Sequence, residues 1–358
     1  MCGLFHAATC QLAATAYRTG HNSQRWFNVL GKMEIKREAS RRTLLVAVSL
    51  CAAVLCVWAV VLSRRKPPVD RRVVNVALSG TGSWLAAGTA EGKIAVWNQS
   101  GGVAPRQIIF PYGSLNDLRF SPDERTLAIA AGNLGLYLVA ESVAPRLLRS
   151  DFENYGSVRF SSDGQTLLVV NGASLIETID ARSGAVRLKL CCSSIYGEAV
   201  FTPDGQAIAN SGHWPSLWDS RSGALLARLT ANREFETFRP IAFKGRDAIL
   251  MGSQDGRVYA WDLRTGQRVA ISPPQSTYVD TLAVSSTGWV VFAGFGSIVE
   301  LWNPATGRQR SIATARPTSN LVLGPDGASV IFGTASGDIE FWDLRTERRI
   351  RSLKIPGK

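Results

Sequence analysis

Residues 260–264 read AWDLR and residues 341–345 read FWDLR; the shared core, WDLRT, stands at Trp261–Thr265 and again at Trp342–Thr346, 81 positions later. An identical pentapeptide at that separation asks for an internal period, because self-similarity every ~20–50 residues marks repeated supersecondary units. Midway lies LWNPATGRQ, with Trp302 41 residues after Trp261 and 40 before Trp342. Followed back toward the N-terminus, the same register lands on LWDSRSGAL (Trp218), TIDARSGAV (Ile179 in the tryptophan slot), LYLVAES (Tyr137) and VWNQSGG (Trp97). The seven anchors are 40, 42, 39, 43, 41 and 40 residues apart.

Each unit has one internal grammar. Four short runs rich in β-branched and aromatic residues are separated by Gly, Asp, Asn, Ser and Pro. The first run ends in a turn spelled SPDER (121–125), SSDGQ (161–165), TPDGQ (202–206) or GPDGA (324–328). Pro and Asp suit the early positions of such turns, and Gly supplies positive φ. The second run reaches EGK (91–93), QDGR (254–257) or SGD (336–338). The third carries the anchor, and Asp or Asn followed by Thr-Gly or Ser-Gly leads into the fourth. Four strands recurring with this period make one propeller blade, so the predicted fold class is all-β, a seven-bladed β-propeller over 73–356.

The pattern resembles the WD40 family. Trp97-Asn98, Trp218-Asp219, Trp261-Asp262, Trp302-Asn303 and Trp342-Asp343 carry the resemblance, with Gly92, Gly256 and Gly337 five residues ahead of their anchors. The family's Gly-His dipeptide is missing from every unit, since the histidines are His6, His21 and His213. Without the hydrogen-bond network that this His builds in typical members, cohesion is expected to come from apolar packing between blades. No strand is left over to be exchanged across the termini, so the seam between blades 1 and 7 is expected to hold by side-chain packing alone.

Upstream, Thr43–Leu62 reads TLLVAVSLCAAVLCVWAVVL, twenty residues without a charge. As a helix that length spans a bilayer core of roughly 30 Å, whereas strands run only about 3–10 residues. The run also exceeds the apolar core of a signal peptide, and no A-x-A-like cleavage site follows it. One transmembrane α-helix is therefore predicted, preceded by a disordered tail (1–42) and followed by a basic Pro-containing linker (63–72). A chain starting at Met33 would read as a short-tailed signal anchor. The expected localisation is a single-pass membrane protein. Its sidedness is not given by charge, since five Lys/Arg lie within 15 residues on either side of the span.

The chain carries 40 Lys+Arg and 28 Asp+Glu, of which residues 1–72 hold 12 and 3. Nine of the twelve net positive charges thus flank the span, where basic residues meet lipid headgroups. The propeller itself shows no basic stripe of the kind nucleic acid needs, and no nucleic acid is expected. Four cysteines lie in the tail and span, and the adjacent pair Cys191-Cys192 reads as two small apolar residues at a strand end; there is no disulfide framework.

An enzyme would need machinery the sequence does not display. DARSG (180–184), DSRSG (219–223), DLRTG (262–266) and NPATG (303–307) resemble the Asp-x-x-Thr-Gly element of quinoprotein dehydrogenases, the alternative reading. In that family a Trp follows shortly after the Gly and locks neighbouring blades; here none does. The same residues suit an ordinary strand connection, in which Asp or Asn caps the turn. No catalytic residue, metal ligand or cofactor site is predicted. The family resemblance implies instead a rigid platform for protein partners. In a blade of sequential strands, the starts of first strands, the second-to-third turns and the connections between blades share one face, the inter-blade face. The tether of about ten residues reaches at most roughly 35 Å and enters from that face, so it is expected to look toward the bilayer. Phe152, Tyr155, Tyr196, Trp214, Phe235, Tyr278 and Arg316 are the residues expected to meet a membrane-embedded or juxtamembrane partner there.

Overall fold

A computed structural model of the protein describes residues 70–356 apart from 102–103, 111–114, 142, 151–154, 172–174, 191–197, 213, 230–237, 245–246 and 276. The expected tail, the span Thr43–Leu62 and Cys191-Cys192 lie outside the described residues. Among the described residues no helix is long and apolar enough to cross a membrane.

Twenty-eight strands form seven four-stranded antiparallel sheets, each in sequential order. They are blades 1 (73–109), 2 (117–149), 3 (155–190), 4 (199–228), 5 (238–271), 6 (281–313) and 7 (322–354). The chain is a seven-bladed propeller, with the first strand of each blade innermost and the fourth outermost. Second strands such as TLAIA (126–130), VVFA (290–293) and most of AILMGS (248–253) are buried on both faces, and for that reason they read as unbroken apolar runs rather than alternating ones. The fourth strands are mostly exposed or half-buried. Across all seven they carry twelve Lys/Arg and no Asp or Glu, while the third strands beside them hold eight acids and one base, so the charges pair across the ladder. Lys189 meets Glu177 at 3.0 Å, Arg349 meets Glu340 at 3.0 Å and Arg187 meets Asp180 at 2.5 Å. Cations on an outermost strand also discourage edge-to-edge association.

The core is divided among the seams. Seven apolar clusters occupy the seven junctions between neighbouring blades, and each contains one of the predicted anchors. In every case the anchor packs against the preceding blade. Trp261 of blade 5 joins Ala209 and Leu229 of blade 4, Trp302 of blade 6 joins Leu250 and Val258 of blade 5, and Trp97 of blade 1 joins Ile331 and Phe341 of blade 7. Ile179 does the same from blade 3 although it is not aromatic. Tyr137, Trp218 and Trp342 are half-buried members of their clusters, and Tyr137 sits edge-on to Phe110 of blade 1 at 4.8 Å.

Packing is not the whole of cohesion, and here the expectation needs correction. Among the described residues no strand is exchanged across the termini, but the blade 7–blade 1 seam is hydrogen-bonded as well as packed. Asn320 accepts from Val76 N at 3.0 Å and donates to Val76 O at 2.8 Å; Thr318 Oγ1 donates to Val73 O at 2.8 Å, and Val73 N donates to Thr334 O at 3.2 Å. The cause is general. The inner edge of a first strand has no fifth strand to pair with, and its N–H and C=O groups need partners. A polar side chain near the start of the neighbouring first strand supplies several of them. Thr281 accepts from Leu321 N at 2.8 Å, Asp117 accepts from Val158 N at 3.1 Å, and Asn75 donates to Leu115 O at 3.1 Å. On the outer side, Arg106, Arg146 and Arg310 each donate to carbonyls of the next blade's third-to-fourth turn (Ala140, Arg182 and Leu344, at 2.8, 3.1 and 3.2 Å).

Two turns break the glycine rule and show why. Glu124 and Glu347 stand where sister turns have Gly and hold φ at 61° and 58°. Both carboxylates reach across a seam: Glu124 accepts from Thr81 Oγ1 of blade 1 at 2.8 Å, and Glu347 from Arg310 Nε of blade 6 at 2.9 Å.

Candidate interaction surface

The first strands enclose a cavity of about 480 Å³ whose wall changes character around the ring. On blades 2 to 4 it is ionic. Asp117 lies between Arg119, at 3.3 Å, and Arg159, which also meets Glu198 at 3.2 Å. Burial lowers the pKa of Arg119, and the nearby Arg159 guanidinium adds to the effect. Burial opposes the charge on Arg159 too, but Asp117 and Glu198 outweigh it and raise its pKa. Glu198 is pushed up by burial despite the pull of Arg159. Both oxygens of Asp117 are consumed by Arg119, Arg159 and the Leu118 and Val158 amides. This is a structural network, with no unoccupied base at its centre. Thr281, Asn320 and Asn75 line the cavity on blades 6, 7 and 1 as neutral side chains, and Asp280 of the blade 5–6 connection adds a carboxylate beside Thr281.

The quinoprotein-like elements resolve into turn caps. Asp180, Asp219, Asp262 and Asp343 each accept amides of their own turn, Thr265 N at 2.7 Å in the case of Asp262, and Asn303 does so in blade 6. Hydrogen bonds within the turn hold all four carboxyls below the ordinary aspartate range; at Asp219 the Ser222 hydroxyl leads, and at Asp180 the Ser183 amide leads and Arg187 adds to it. Among the described residues no group of three or more His, Cys, Asp or Glu is placed to hold a metal ion.

The inter-blade face is where large aromatic side chains surface. Phe152, Tyr196 and Phe235 lie outside the described residues. Tyr155 does not belong to the surface at all. It is 0% exposed, packed with Ala128, Leu136 and Val169, and its hydroxyl takes a hydrogen bond from Arg149 Nε at 3.1 Å. The strand already runs at this position, so the side chain turns into the blade 2–blade 3 seam, as Val73 and Val279 do at the corresponding places in blades 1 and 6. Trp214 is 60% exposed at the tip of the blade 4 second-to-third turn. Tyr278 and Arg316 are brought together by a residue that the sequence reading passed over. Phe295, 47% exposed, takes the edge of Tyr278 at 4.7 Å and lies under the Arg316 guanidinium at 5.0 Å. The three come from separate segments: the blade 5–6 connection, the GFG turn of blade 6 and the blade 6–7 connection. Backbone bonds knit them, Asp280 N to Ala293 O and Thr314 N to Ser297 O, both at 2.9 Å. Gly294 is pressed so closely on the Tyr278 carbonyl that a Cβ would come within 2.1 Å of it. The available signal was composition at the turn tip: sister turns end in EGK, QDGR or SGD, and only HWP (213–215) and GFG (294–296) put a large aromatic there.

The structure of the WD40 β-propeller domain of Doa1 superimposes on this ring with a TM-score of 0.66 and 14% identity, covering 77% of this chain and 93% of that one. The fold is a WD40-type propeller. No family model matches the chain. The chain is 26% identical over 162 residues to a periodic tryptophan protein 2 homolog of Dictyostelium discoideum, covering 42% of this chain and 17% of that protein. The chain is 24% identical over 146 residues to a guanine nucleotide-binding protein subunit beta of Arabidopsis thaliana, covering 37% of this chain and 39% of that one. The chain thus matches less than a fifth of the length of the first of these relatives.

Proposed function

We propose that the protein is a non-enzymatic scaffold, a WD40-type propeller tethered to a membrane by Thr43–Leu62, that holds a protein partner on its inter-blade face. The observation that carries this reading is the exposure of Trp214 and Phe295 on that face, the latter with Tyr278 and Arg316 already assembled around it. Trp, Tyr and Arg are the residues that dominate protein–protein binding energy, because they bury much area for little conformational entropy. Tethering rests on the uncharged twenty-residue run Thr43–Leu62. The partner is accordingly a membrane-embedded or juxtamembrane protein.

Two measurements test the parts separately. The full chain stays in the membrane pellet through carbonate and high-salt washes; release into the soluble fraction, or a mature N-terminus mapped near Leu62, removes the tether. Crosslinking in native membranes followed by mass spectrometry places partner peptides on blades 4 to 6 at the inter-blade face. Crosslinks gathered on the opposite face, unaltered by Phe295→Ala, move the partner to the other side.

A further inference from the structure

Resting on the reading that the inter-blade face receives the partner, the geometry points to the chemistry recognised there: an acidic residue beside an apolar one, the carboxylate taken by Arg316 and the apolar side chain by Phe295. Arg316 is exposed; among the described residues it forms no ion pair, and its guanidinium lies over the Phe295 ring. A guanidinium that lies over an aromatic ring keeps N–H donors at its rim that the ring does not use, and these suit a bidentate carboxylate acceptor. The ring contact also fixes the side chain before any partner arrives, so less rotamer freedom is lost on binding.

The apolar half is equally prepared. Phe295 stands between two glycines, braced on its flank by Tyr278, while the Gly294 contact and the Asp280–Ala293 and Thr314–Ser297 bonds hold the three segments in register. A cation held against an exposed aromatic ring attracts an anion with an apolar neighbour more than either group alone would. A basic ligand is repelled by Arg316, and a purely apolar one leaves the guanidinium to be desolvated without compensation.

A random twelve-residue peptide library displayed on phage and panned against the full chain in nanodiscs tests this. The expected result is enrichment of Asp or Glu directly next to Leu, Ile, Phe or Trp. Binding of the selected peptides should fall about tenfold or more in Arg316→Gln, the scale of one lost charge-assisted pair, and fall in Phe295→Ala. Arg316→Lys should restore part of it, and Val143→Ala on the opposite face should leave it unchanged. Peptides lost in Phe295→Ala but poor in acids, or indifferent to Arg316→Gln, overturn the acidic recognition and leave the partner face standing. If no selected peptide depends on Phe295, both fall.

Discussion

The two WDLRT segments share every residue, yet they occupy different surroundings. In blade 5, Trp261 is 0% exposed, flanked by Tyr259 at 6.0 Å and packed on blade 4. In blade 7, Trp342 is half-buried and spends its indole N–H on Glu340 Oε2 at 2.8 Å. Blade 7 makes up the difference with polar links, Asn320 and Thr318 toward blade 1 and Glu347 toward blade 6. The pentapeptide therefore sets the backbone, a strand end and a capped turn, while the neighbouring blade decides what the anchor is worth.

The most severe way to test that contrast is to truncate each anchor. Trp261→Ala is expected to cost about 3–5 kcal/mol, the range for emptying a fully buried aromatic site. Trp342→Ala should cost roughly half as much, because less area is removed from water. Equal losses in denaturant unfolding would erase the distinction.

Next in size is the polar compensation. Asn320→Ala strips Val76 of both its partners, and should cost about 1–2 kcal/mol, the lower part of the range for unpaired buried groups because channel water can reach them. Hydrogen exchange of the Val76 amide should quicken in the variant. An exchange rate equal to the wild-type value would mean that packing alone closes the ring.

Smaller still, and opposite in sign, is Glu347→Gly, which gives blade 7 the glycine that blade 5 has at Gly266. Relief of a left-handed non-glycine backbone is worth about 1–2 kcal/mol, and the exposed Arg310 pair it forfeits about 0.2–1 kcal/mol. The variant should be more stable by roughly 0.5 kcal/mol. A loss would show that the pair outweighs the strain.

The least effect concerns what the two copies have in common. Asp262 and Asp343 are both held below their ordinary value of 3.8, chiefly by the Thr265 and Thr346 amides. A depressed folded-state pKa contributes stability above the unfolded value, and that contribution is lost as pH falls through the folded one. Between about pH 4 and pH 2 the wild type should therefore lose more stability than Asp262→Asn/Asp343→Asn. Parallel acid limbs would rule out the caps as the source.

What could be read in advance follows the same division. Spacing alone located all seven anchors, including Ile179, because the period is imposed by the backbone. Burial was less legible. Tyr155 looked like a surface aromatic at a strand start, and only the register of the strand turned it inward. The inner latches Asn75, Asp117, Thr281 and Asn320 all stand near the start of a first strand; in one dimension they pass for loop residues flanking a strand. Phe295 escaped because attention to turns went to their glycines and not to what the glycines flank.

The backward packing of the anchors gives synthesis on the ribosome a direction. From blade 2 onward, each third strand emerges when the surface it docks on has already been made, so every new blade can close onto a finished neighbour. Trp97 is the exception. Its docking surface includes Ile331, Ile339 and Phe341, which are translated more than 230 residues later. Blade 1 must wait with its apolar flank uncovered until the last blade arrives, and during that interval the nascent chain needs shelter from aggregation.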